Sequence, residues 1–243
     1  MLFSLVTATV FATSVLSGVL GMAGGMILMA VLVSALGVAG AMMLHGAVQA
    51  TSNGSRAWFL RQHIVWQPLP AYLAGAAVAV GGFVAIALVP DPGVVLLLVG
   101  LFPWLARFNK RLGGLDITHL PTAFACGAVV TAAQLLAGAS GPVLDVFYVR
   151  SPLNRHQIVA SKALTQTIGH VLKMFYYGVV VAVAVTLPWW FFALCIITAV
   201  AGTRVGTLLL ERWNESAFQR YSQAVILVIA TLCMAQGLRL LLT

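Results

Sequence analysis

Charge is what this chain has least of. Only 7 % of its 243 residues are charged and five are acidic, whereas a soluble globular domain carries about 25 % charged residues. So few ionic groups cannot coat a water-soluble surface, and with 61 % hydrophobic residues the apolar side chains must meet lipid. Strict alternation of apolar and polar positions is also missing, which excludes a membrane barrel and leaves helices that satisfy their own backbone. The Lys and Arg residues outnumber the acids and give a net charge of +8, yet they stand singly, with no basic run on a soluble stretch. Nucleic acid is therefore not an expected partner. Cysteine is scarce: Cys126, Cys195 and Cys233 lie in apolar segments without metal-ligand spacing, and call for no disulfide, metal or cofactor. Paired histidines with a glutamate, a serine elbow and a convincing acid pair are absent too, so the chain does not read as an enzyme. The N-terminal segment lacks the basic start of a secretory signal and is expected to stay as a membrane segment.

What is present is one pattern written twice. GMAGGMIL (Gly21 to Leu28) precedes a segment carrying His45, Gln49, Asn53 and Arg56; AGASGPVL (Ala137 to Leu144) precedes one carrying Lys162, Gln166, His170 and Lys173. A shift of 116 residues pairs Gly25 with Gly141 and Leu28 with Leu144, and one further residue pairs His45 with Lys162 and Arg56 with Lys173. Polar residues that recur in register inside apolar segments indicate an internal repeat. Its boundary is expected near the linker of Arg107, Lys110, Arg111, Gly113 and Gly114, giving a first repeat over 1–112 and a second over 113–243.

Each half is expected to open with a broken or re-entrant helix pair, at residues 3 to 36 and 119 to 149, and to continue with three transmembrane helices. About 34 apolar residues are short for two full spans of ~20 each. The three helices cover 40 to 60, 68 to 89 and 93 to 108 in the first half, and 156 to 185, 189 to 209 and 218 to 242 in the second. Arg61, the midpoint cations, Arg150 with Arg155, and Arg212 with Arg220 mark cytoplasmic connections. That bias inverts the second half relative to the first, whether the pairs span fully or half way, and puts both termini outside. Trp66, Trp104, Trp189 and Trp190 read as interfacial anchors.

A helix broken within the membrane presents free N–H groups and a positive dipole end, so Gly24 with Gly25 and Ser140 with Gly141 are candidates for an anion site; close helix packing is the competing use. Offsets of four, eight and eleven keep His45 to Arg56, and Lys162 to Lys173, on single helix faces. Ionisable groups inside a membrane face a cavity or a partner. Arg56 either contacts ligand or snorkels to the cytoplasmic edge; Lys162 contacts ligand or pairs with Asp145; Gln49 and Gln166 serve ligand or a neighbouring helix. His45 and His170 are packing residues or titrating, anion-contacting ones. His45, Asp145 and Lys162 are the candidates for coupling to protons or Na+. The role of Arg204, with Glu211 as its potential neighbour, stays open.

With its two halves, each opening on a glycine-rich segment (GMAGGMIL, AGASGPVL) followed by a polar one (HGAVQATSNGSRAWF, SKALTQTIGHVLKMFYY), the chain resembles the sulfite exporter TauE/SafE family of membrane transporters along nearly its whole length. Met22 and Ala23 interrupt the first glycine run and Ser140 replaces a glycine in the second. The resemblance implies export of sulfite, sulfonates or other small organic anions across a bacterial inner membrane. Alternating access by a secondary transporter is the expected mechanism and an anion channel the alternative. The expected partners are the anion, the bilayer, a coupling ion and a second copy in a homodimer. The expected substrate contacts are Gly24, Gly25, Gln49, Asn53, Arg56, Ser140, Gly141, Gln166, His170 and Lys173.

Overall fold

Long apolar runs without strand alternation give helices, and among the described residues there is no strand. The computed structural model describes residues 2–20, 23–112, 115–182, 187–210 and 215–242. The helices are α1 (Leu2–Leu20), α2 (Ala23–Phe59), α3 (Leu69–Ile86), α4 (Pro92–Leu112), α5 (Leu120–Ala137), α6 (Gly141–Val146), α7 (Arg155–Phe175), α8 (Trp189–Leu210) and α9 (Glu215–Leu242). Five of them, α2, α3, α5, α8 and α9, are long and apolar enough to cross a membrane. The chain is an all-α polytopic membrane protein.

At 37 residues, α2 would be about 55 Å long if straight, far beyond the ~30 Å hydrocarbon core. It is not straight. Gly37 sits at φ 70°, ψ 175°, a left-handed position that favours glycine, and the chain folds back there. His45 Nε2 consequently lies 2.9 Å from the Gly25 carbonyl oxygen, 20 residues away in sequence. The expected broken pair of residues 3 to 36 is thus α1 plus the first arm of α2, and the polar segment is the second arm. Gly21 and Met22 of the first glycine motif lie outside the described residues.

The second half breaks differently. In α5, Gly138 at φ 71° caps the helix, its N–H donating to the Gln134 carbonyl at 2.9 Å. Only six residues of α6 follow, where the sequence suggested helix to residue 149. Pro152 disfavours helix at Ser151, and tight turns carry the chain to Arg150 instead. Asn154 then starts α7 with a capping box: its side chain accepts from the Gln157 N–H and the Gln157 side chain accepts from the Asn154 N–H, both at 3.0 Å. The polar span expected to reach residue 185 stops as an α-helix at Phe175 and widens into a π-helical turn, Tyr176–Val180. That turn lets two buried hydroxyls find acceptors, Tyr176 on the Leu88 carbonyl and Tyr177 on the Leu135 carbonyl, each at 2.8 Å. The polar loop expected at Glu211 and Arg212 lies outside the described residues.

The largest helix pairings are α3 with α5, α1 with α8, α4 with α9 and α2 with α7. The opening helix of each half therefore packs on the middle one of the three helices that follow the break in the other half, α1 on α8 and α5 on α3, while α2 meets α7 and α4 meets α9. Glycines allow these backbones to touch. A Cβ on Gly75 would collide with the Phe124 carbonyl, and one on Gly127 with the Tyr72 carbonyl, at the α3–α5 crossing. On α3 itself, a Cβ on Gly81 would meet open space. Gly127→Ala is accordingly expected to lower the melting temperature in detergent, overpacking costing about 1–3 kcal/mol. Gly81→Ala should leave it unchanged or raise it, by up to about 1 kcal/mol of helix propensity. Equal melting of the two variants would mean the crossing is looser than described.

Candidate functional site

The fold-back at Gly37 places both arms of α2 against α7 and the α5–α6 break, and a small pocket lies between them. Its volume is about 40 Å³, room for about three waters at 10–15 Å³ each. Gly25, Met26, His45, Gln49, Asn53 and Arg56 line it from α2, and Gln166 and His170 from α7. Ala139, Ser140, Gly141 and Pro142 close it from the break, and Ser17 from α1. No lining residue is acidic.

Of the ten residues expected to contact substrate, the fold brings eight, together with His45, to this one place. Gly25 belongs here because a Cβ on it would sit 2.7 Å from the Gln49 amide nitrogen; glycine lets that side chain lie against the backbone. The two expected residues that do not line the pocket are Gly24 and Lys173. Gly24 faces α1, where a Cβ would collide with the Thr13 carbonyl and the Ser17 hydroxyl, so it sets helix contact. Lys173 lies one layer behind the pocket, fully buried. Its ammonium donates to His45 Nδ1 at 3.0 Å and to the Gly138 carbonyl at 2.9 Å.

These bonds fix a tautomer. A carbonyl can only accept, so His45 Nε2 carries the proton toward Gly25, and Nδ1 accepts from Lys173. Behind His170 stands a residue the sequence did not single out: Gln134, whose Nε2 donates to the Gly138 carbonyl at 2.9 Å and to His170 Nδ1 at 2.8 Å. Ser140 donates its hydroxyl to Gln134 Oε1. One hydrogen-bonded chain therefore runs from Ser140 through Gln134, Gly138, Lys173 and His45 to Gly25, joining the two breaks. The signal for Gln134 was available: it is the one carboxamide in the apolar α5, one turn before the glycine that ends the helix.

In contrast with that network, the polar ends of Gln49, Asn53, Arg56 and Gln166 make no hydrogen bond or ion pair within the described chain. Arg56 brings a permanent cation. Among the described residues, no carboxylate pairs with it or with Lys173. Of the coupling candidates, His45 is in the pocket, whereas Asp145 and Lys162 form an ion pair with each other between α6 and α7. Arg204 is exposed on α8, and Glu211 lies outside the described residues. No group of three or more His, Cys, Asp or Glu among the described residues converges as a metal site.

No curated protein and no solved structure matches the chain. The sequence model of the sulfite exporter TauE/SafE family does match, over residues 6–233 of the 243, and the chain belongs to that family of membrane transporters.

Proposed function

We propose that the chain is a secondary transporter of the bacterial inner membrane that exports a small sulfur-containing or organic anion, such as sulfite or a sulfonate. The observation that carries this reading is Arg56: a guanidinium without a partner among the described residues lines an acid-free pocket whose other free groups are three carboxamides and one histidine nitrogen. A cation placed so needs a counter-charge, and an anionic substrate supplies one. Arg56, Gln49, Asn53 and Gln166 would hold the anion directly, with the first-turn amides of α2, which have no partner inside their own helix. The Ser140 and Gly141 side acts mainly through shape, because a six-residue α6 aligns few peptide dipoles.

Alternating access would follow from rocking of two inverted repeats, 1–112 and 113–243, and the exchange of helix partners between the halves supports that relation. Cytoplasmic Arg61, Arg107, Arg150 and Arg155, with outside termini, complete the topology. Counter-exchange of labelled anion across proteoliposomes separates this carrier from an anion channel, which would instead give single-channel conductance.

Binding is tested by thermal melting of purified protein with sulfite, thiosulfate, sulfate, taurine and simple carboxylates. A ligand of the folded state raises the apparent stability with concentration, by about 2.7 kcal/mol at a hundred times its Kd. Sulfite or a sulfonate is expected to stabilise the wild type. Arg56→Gln should weaken that binding by about 10–100-fold, the worth of a charged hydrogen bond. Undiminished binding by Arg56→Gln would remove the site from this pocket, and stabilisation by no anion would remove the anion.

A further inference from the structure

We infer that Gln134 is a positioning residue that sets the polarity of the pocket: it forces His170 to present an N–H donor, and so selects a ligand that offers a bare acceptor oxygen there. The inference rests on the anion reading for its ligand, but not for its chemistry.

The argument begins with a carboxamide in an apolar helix. Burying Gln134 without partners would cost several kcal/mol, and a buried carboxamide is retained where its groups are satisfied. Here all of it is engaged. The Gly138 carbonyl can only accept, so the end of the amide that faces it must be nitrogen. The same nitrogen faces His170 Nδ1, and its second N–H points there. Ser140 donates to the remaining oxygen. No other assignment satisfies the Gly138 contact, so Nδ1 of His170 is an acceptor and the ring proton sits on Nε2. His170 lines the pocket and its Nε2 makes no hydrogen bond in the described chain.

The two pocket histidines thereby differ, although their rings lie 5.4 Å apart. In His45 both nitrogens are engaged, Nε2–H on Gly25 and Nδ1 on Lys173. Only His170 has a donor left for a ligand. A deprotonated oxyanion accepts from it; a hydroxyl oxygen whose proton points the same way cannot. The geometry gives the residue that holds the break together a second task, in the ligand.

Two measurements test this. The first needs no ligand: nitrogen NMR of the 15N-histidine-labelled wild type, with the His170 signals assigned by their loss in His170→Ala. An acceptor-type Nδ1 and a protonated Nε2 are expected, and a protonated Nδ1 overturns the proposal. The second is a double-mutant cycle with sulfite as probe. Gln134→Met should weaken sulfite binding about tenfold or more when His170 is present, the worth of one hydrogen bond to a charged ligand. In the His170→Ala background the same change should cost less than about twofold. An equal loss in both backgrounds makes Gln134 a structural cap of the α5–α6 break and overturns the positioning role. Should sulfite fail to bind the wild type, the anion reading falls, while the nitrogen spectrum still decides what Gln134 does to His170.

Discussion

Lys173→Met is expected to abolish anion transport while leaving the chain folded. The wild-type ammonium is fully buried, 0 % exposed, and its two bonds go to the neutral groups His45 Nδ1 and the Gly138 carbonyl. Methionine matches the length of the side chain and fills the same space without a charge. Exchanging a buried ion for an apolar residue of similar volume is commonly neutral or stabilising. The Gly138 carbonyl keeps its bond from Gln134, so the one group left without a partner is His45 Nδ1, a cost of about 1–3 kcal/mol. The melting temperature should therefore move little.

Binding should move far more. At an effective dielectric of about 20, two unit charges about 10 Å apart attract by about 1.7 kcal/mol, so loss of a cation one layer behind the pocket is expected to weaken anion binding by about tenfold or more. Thermal melting with and without sulfite, together with proteoliposome efflux, reads both quantities on one preparation. Loss of transport at an unchanged melting temperature supports an electrostatic role exerted from behind the pocket. A collapsed melting temperature with intact binding in the folded remainder would instead make Lys173 a tie between α7 and the α5–α6 break.

The position of Lys173 shows what periodicity can and cannot reach. Spacing on a helix face put His45, Gln49, Asn53 and Arg56 on one stripe and Gln166, His170 and Lys173 on another, and packing of α2 on α7 brings the stripes together. Spacing does not say how deep a side chain lies. Lys173 shares a face with Gln166 and His170, yet its long stem carries the ammonium past the lining to the Gly138 carbonyl. The breaks were legible because glycine clusters interrupt apolar runs, and Gly37 falls in the connection expected at 36 to 40. The length of α6 was not, since Val143 to Val149 reads as apolar helix and only the turn before Pro152 ends it. Gln134 escaped for a related reason: its role comes from the way the break turns Gly138 and Ser140 back onto it and from His170 of another helix, and one polar residue in an apolar helix carries no period. Gly24 and Gly25 look equivalent in sequence and separate only in space, one against α1 and the other against Gln49.

Asp145→Asn and Lys162→Met are each expected to destabilise the chain strongly, and the double variant to recover most of the loss. The pair joins α6 to α7, and so anchors the C-terminal end of α6, where six helical residues alone hold little structure. Both side chains are largely shielded, at 18 % and 19 % exposure. Removing one partner of such a pair leaves an uncompensated charge at about 3–5 kcal/mol when burial is complete, and less here in proportion to the exposure. Removing both takes the desolvation penalty away along with the attraction, so the double variant should melt close to the wild type. Transport then separates a tie from a coupling site. If the pair only anchors α6, the double variant should export anion with the wild-type dependence on pH and Na+, because neither charge takes part in the cycle. If Asp145 binds the coupling ion, that dependence should vanish in the double variant even as its stability returns. The two roles give opposite outcomes on the same protein, and the ion pair already supplies Asp145 with the countercharge that a proton or Na+ would otherwise have to provide.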